Sequence, residues 1–181
     1  MDIMDTIRES LNKNKNLNKE ISEGIFELVV IFHNSFPTVN LENLNKRLKT
    51  LKIEKTSKFE KSHISSYGFK KNILYFNSDE ISKDYDVKHV MMFELLNIIT
   101  ATDTQTGFNT DNRFVALNTG LTEIIANYLV GNSKELLLYP DEAIMTNLIT
   151  TIVGFESMLY AYFNNDSKFL LNKLVEKGVK L

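Results

Sequence analysis

The chain has 181 residues, 23 acidic and 21 basic side chains, a formal charge of −2 and 43% apolar residues. This is the make-up of an ordinary globular domain long enough to bury a sizeable core, and its near-neutral balance argues against general nucleic-acid binding by charge. Cysteine is absent, which excludes a disulfide framework, an iron–sulfur centre, a thiol nucleophile and any Cys-ligated zinc, and leaves three histidines: His33, His63 and His89.

Residues 1–17 carry charge throughout and lack the apolar core of a signal peptide. They read as a polar N-terminal segment that this composition allows to be flexible. Ile21, Ile25, Leu28, Val29 and Phe32 recur at helical spacing and predict a helix over 18–33, closed by Pro37. Leu41, Leu44, Leu48 and Leu51 predict a second amphipathic helix with Asn40 as its N-cap. Residues 63–68 and 72–77 flank a Gly68–Asn72 turn and read as a β-hairpin. Five further helices follow, over 86–101, 116–130, 141–153, 154–163 and 166–178, the second of them closed by Gly131. Phe155, Tyr160, Tyr162 and Phe163 read as core. The expectation is a single α+β domain over 1–181, mainly α-helical, with a small sheet before its most apolar helix. No segment is apolar for long enough to cross a membrane, so a cytoplasmic location is expected.

The helix over 86–101 contains Phe93-Glu94-Leu95-Leu96-Asn97. The helical zinc motif H-E-x-x-H places two imidazoles on one face, at i and i+4, and uses its Glu to polarise metal-bound water. Here the Glu is kept, and Phe93 and Asn97 stand at the histidine positions. Taken alone this pentapeptide is an ordinary amphipathic-helix sequence. Its surroundings give it weight. About 20 residues on comes Ala116-Leu117-Asn118-Thr119-Gly120-Leu121-Thr122-Glu123. It is similar to the N-E-x-x-S/T-D/E segment of gluzincins, with Thr119 at the third ligand's position and Glu123 at that of the acid that supports a histidine ligand.

With Asp84–His89, Gly107-Phe108, Tyr139-Pro140, Ile152–Gly154 and Ala161–Phe163, these segments resemble a family of small bacterial zincin-like putative metallopeptidases. The resemblance spans roughly 70–178 and, more weakly, 17–55. It implies a zincin-like fold with a hairpin before the helix that would carry the active site. It also implies that all three metal ligands are lost. A phenyl ring has no lone pair for zinc, and Asn97 and Thr119 offer only neutral oxygens. The implied protein is a catalytically inactive pseudo-metallopeptidase with vestigial Glu94, without metal or cofactor, in a binding or regulatory role toward a protein or peptide.

Two alternatives stay open. Glu94 and Glu123 could form a non-standard hydrolytic site, with His89 as an alternative ligand, although His89 and Glu94 point in different directions around a helix. The segment 46–71 carries nine Lys/Arg against Glu54 and Glu60. Lys46, Arg47, Lys49, Lys52, Lys55 and Lys58 could therefore face an anionic partner, or simply water. Aromatic residues for base stacking are sparse there, which disfavours nucleic acid. No glycine-rich phosphate loop and no G-x-S-x-G elbow occurs, and the His63/Ser65/Ser66 cluster sits on a hairpin, a poor platform for a triad.

Overall fold

The computed structural model describes residues 2–57, 64–77, 86–109, 112–131 and 137–179. In chain order the elements are α1 (Ile3–Lys13), α2 (Lys19–Ser35), α3 (Glu42–Leu48), β1 (Lys52–Thr56), β2 (Ser65–Gly68), β3 (Ile73–Asn77), α4 (Val87–Thr100), α5 (Val115–Val130), α6 (Pro140–Val153), α7 (Phe155–Phe163) and α8 (Ser167–Glu176). The fold is mainly helical with one three-stranded sheet, as an α+β chain. None of the described helices is by itself long and apolar enough to cross a membrane.

α4 is the hub. Asp86 starts it by accepting hydrogen bonds from the amides of Lys88 (2.9 Å) and His89 (3.2 Å). Ten of its residues, from His89 to Thr100, are buried around the whole circumference, so α4 runs through the core instead of lying on it. α2, α3, α5, α7 and the hairpin all pack against it. One continuous apolar cluster joins Val29 and Phe32 of α2, Leu44 of α3, Leu74 of β3, Met92 and Leu96 of α4, Leu121 and Ile125 of α5, and Leu170 of α8.

α5 lies against α4 on one side and α6 on the other. Gly120 sets the second contact. A Cβ on it would stand 2.1 Å from the carbonyl oxygen of Glu142 and 2.2 Å from Thr146 Oγ1, so only glycine permits this approach. Gly107, at φ +52°, does the same for the loop after α4, where a Cβ would strike Asn118 Oδ1 and the Tyr162 ring. Asn118 Oδ1 instead accepts from the amide of Phe108 at 3.1 Å.

The hairpin forms as expected: β2 and β3 are antiparallel, pairing Ser65 with Phe76 and Gly68 with Ile73, with Asn72 at φ +55° in the turn. Two elements differ from the sequence reading. Residues 1–17 are not a featureless polar segment; they contain α1, whose Ile7 and Leu11 are buried. Two apolar positions one turn apart suffice because Ser10 and Asn14 also bond across, to Asn45 Oδ1 and to the carbonyls of Leu48 and Leu51. The second amphipathic helix is also shorter than expected. α3 stops at Leu48, and its N-cap is Leu41, not Asn40, although Asn40 accepts from the Glu42 amide at 2.8 Å from one residue earlier. Leu51 then leads into β1, which pairs parallel to β3 and gives the order β1-β3-β2. Its Lys52, Glu54 and Lys55 are exposed, so no apolar alternation announces the strand.

Candidate functional site

Glu94 is sealed in the core between α4 and the edge strand β2. Ser65 Oγ donates to its Oε1 at 2.6 Å, and Asn97 Nδ2 donates to its Oε2 at 3.1 Å. Burial pushes the Glu94 carboxyl up to about 7, against the pull of these two donors. Strand alternation explains the first contact, since Ser65 and Tyr67 share the buried face of β2. The second is an i, i+3 pair on α4 itself.

Phe93 packs against Tyr139, just before α6. Its ring lies 5.2 Å from that of Tyr139, inclined at 31°, and it is all but closed to solvent. The preceding residue of the same segment is fixed to α5: the Leu138 amide donates to Glu123 Oε1 at 2.9 Å.

The second partner of that oxygen is His89. Its Nε2 lies 2.9 Å from Glu123 Oε1, and both side chains are buried. His89 Nδ1 faces the Gly131 carbonyl at 3.3 Å. A carbonyl only accepts, so Nδ1 carries a hydrogen, and one further proton lies between Nε2 and the carboxyl group. Burial opposes the imidazolium, but the Glu123 hydrogen bond and charge, the Gly131 carbonyl and Asp86 outweigh it, and His89's pKa is raised. The second carboxyl oxygen of Glu123 is buried without a hydrogen-bond partner.

Of the five positions singled out in the sequence, Glu94 and Asn97 bond directly, while Phe93 and Glu123 meet the same segment, Leu138–Tyr139. Thr119 is half-buried one turn before Glu123 and bonds to none of the other four. Glu94 and Glu123 have separate partners and are not joined as an acid–base pair. His89 is not an open ligand; it serves Glu123. Among the described residues no group of three His, Asp or Glu side chains could hold a metal. Phe93, Asn97 and Thr119, a phenyl ring and two neutral side chains, are not a donor set that fits zinc. Two cavities, of about 640 and 570 Å³, are lined by none of these residues.

Of the basic residues, Arg47 is half-buried and bonded within the chain. Its guanidinium donates to Tyr67 Oη (2.9 Å) and to the carbonyls of Phe69 (3.0 Å) and Thr102 (2.9 Å), tying α3 to the hairpin and to the loop after α4. It is therefore unavailable to an anionic partner. Lys46, Lys49, Lys52 and Lys55 are exposed. Lys58 and His63 lie outside the described residues. Comparison with protein families, curated proteins and solved structures finds no significant match among any of them.

Sequence reasoning missed Ser65 as the partner of Glu94, and Tyr162 as the knot between helices. Tyr162 Oη lies 2.8 Å from Thr122 Oγ1, linking α7 to α5, and Thr100 of α4 acts on the same hydroxyl. Burial raises its pKa far above the ordinary phenol value. The spacing of Thr100, Thr122 and Tyr162 in the chain carries no hint of this meeting.

Proposed function

We propose that this chain is a catalytically inactive zincin-like protein, a pseudo-metallopeptidase that acts by binding. The observation that carries the reading is the pair Phe93–Tyr139. In the resemblance, residue 93 would present an imidazole to a metal; here its ring is packed beneath Tyr139. The neighbouring Glu94, which would polarise water, is buried and held by Ser65 and Asn97. Edge strand β2 beside α4 is in keeping with a zincin scaffold, in which a peptide can add to an exposed sheet edge. The rival reading, hydrolysis by Glu94 and Glu123, has less support, because both carboxyls are closed to solvent and each is held by different groups.

The test is metal analysis of the purified chain after chelation and re-exposure to zinc, with a peptidase assay alongside. No retained zinc and no hydrolysis is expected. One tightly held zinc per chain, or hydrolysis that survives purification to homogeneity, overturns the reading.

A further inference from the structure

The face of α6 turned away from the core is apolar as well. Ala143, Thr146 and Val153 are buried, with Thr146 against Gly120 of α5. On the opposite side Ile144, Leu148 and Ile152 recur every four residues, yet are 62%, 64% and 40% exposed. Met145 beside them and Phe155 at the start of α7 extend the patch, both more than two-fifths exposed. A helix apolar on both sides belongs in an interior, and a single copy of this chain covers only one side. The exposed side chains make a patch on the order of the few hundred Å² that marks interaction sites on folded proteins.

We infer that this face is a homodimer interface in which α6 packs against α6 of a second copy, antiparallel across a twofold axis at Leu148. Three features favour a second copy. The stripe is symmetric about Leu148, with Ile144 four residues before it and Ile152 four after. An antiparallel partner therefore brings Ile144 onto Ile152 in both halves and Leu148 onto itself, as an isologous contact requires. The run from Ala143 to Phe155 contains no charged residue, so copies meet without juxtaposing like charges. A patch of this size supplies the apolar centre of a pair burying roughly 800 Å² per partner, with Asn147 and Thr151, both exposed on the same face, as its polar rim. A lipid surface is a poorer match. Interfacial helices flank their apolar face with Lys and Arg, whereas α6 has no basic residue and carries Asp141 and Glu142.

The absence of native cysteine makes the register directly testable. Sedimentation of the 181-residue chain should show a concentration-dependent dimer. Leu148→Glu should shift it to monomer with an unchanged helical circular-dichroism spectrum, since residue 148 is exposed in the single copy. Leu148→Cys should form a disulfide-linked dimer on mild oxidation. Ile144→Cys mixed with Ile152→Cys should cross-link to each other in preference to themselves, and Lys13→Cys on α1 should not cross-link. A chain that stays monomeric at high micromolar concentration overturns the inference. So does a dimer that Leu148→Glu leaves intact, or binding to neutral or anionic phospholipid vesicles that Leu148→Glu abolishes without any self-association.

Discussion

His89 Nε2 and Glu123 Oε1 meet at 2.9 Å in the core, joining the first turn of α4 to the middle of α5. The Leu138 amide lands on the same carboxyl oxygen, so this one pair also seats the segment that covers Phe93. In the zincin resemblance Glu123 would support a histidine that ligates the metal. Here it serves His89, one helical turn before Phe93.

Removing the acid exposes what holds the proton. His89 has a raised pKa because Glu123 and Gly131 overcome burial. In Glu123→Gln the main partner loses its charge while burial persists, so the His89 pKa should fall below that of the intact chain. Titration of the His89 imidazole by NMR reads this; an unmoved value would mean that the pair is not coupled. The sign for stability follows. A raised histidine pKa contributes stability that is fully present below the ordinary value of 6.5 and is lost as pH rises through the folded pKa. His89→Ala leaves a buried carboxyl group without its partner and should cost about 3–5 kcal/mol in urea unfolding.

Glu94 gives a second pH dependence. Its carboxyl rises from 4.5 to about 7 on burial, so between those values the folded chain holds a proton that the unfolded chain has released. Stability from this group is greatest below 4.5, declines as pH rises to 7 and is then flat, with a span of ~3 kcal/mol. Glu94→Gln has no proton to lose. The difference between wild-type and Glu94→Gln unfolding free energies should therefore move against the wild type across this window. Parallel curves would remove Glu94 as the source.

Gly120→Ala separates helix propensity from packing. Alanine favours the helical backbone by about 1 kcal/mol over glycine. The new Cβ, however, would stand 2.1 Å from a backbone oxygen of α6, which cannot rotate away as a side chain would. The substitution should destabilise the chain by about 1–3 kcal/mol net, through overpacking. A neutral or stabilising result in thermal or urea unfolding would mean that α5 and α6 are further apart.

What the sequence disclosed and hid divides along physical lines. The Gly68–Asn72 turn, the apolar run over 86–101 and the breaker Gly131 are local signals, and the hairpin, α4 and α5 follow from them. α1 and β1 were hidden because their partners supply the stability: α1 fully buries only two apolar residues, Ile7 and Leu11, and β1 exposes its lysines while its backbone pairs with β3. C-terminal aromatics were half legible. Tyr162 is buried as expected, but Phe155 and Tyr160 are exposed, which periodicity within one short helix could not separate. The pairings Ser65–Glu94 and His89–Glu123 depend on how β2 and α5 cross α4, which no local pattern in the sequence sets.

Arg47 tests the fate of the basic segment. Its fork spans three acceptors on two elements, and lysine cannot reproduce it. Arg47→Lys should lower stability by about 1–3 kcal/mol, the scale of hydrogen bonds to a charged group. Charge reversal at exposed Lys46, Lys49 and Lys52 should leave the urea midpoint nearly unchanged. If those three lysines and not Arg47 control stability, the internal assignment fails.

The scaffold reading is decided by restoring what is missing. Phe93→His and Asn97→His place two imidazoles at i and i+4 on α4, and Thr119→Glu adds a carboxylate on α5, one turn before Glu123. Three ligands of this kind, with water in the fourth position, suit zinc, and Glu123 lies close enough in sequence to orient one of them. The triple variant should bind one zinc per chain in calorimetric titration, more weakly than an evolved site because Tyr139 must move from its place against residue 93. Phe93→His alone should bind none and should lose about 2–4 kcal/mol of stability, since it removes a buried ring. A triple variant that keeps its helical spectrum yet takes up no zinc would show that α4 and α5 do not cross as a zincin's helices must.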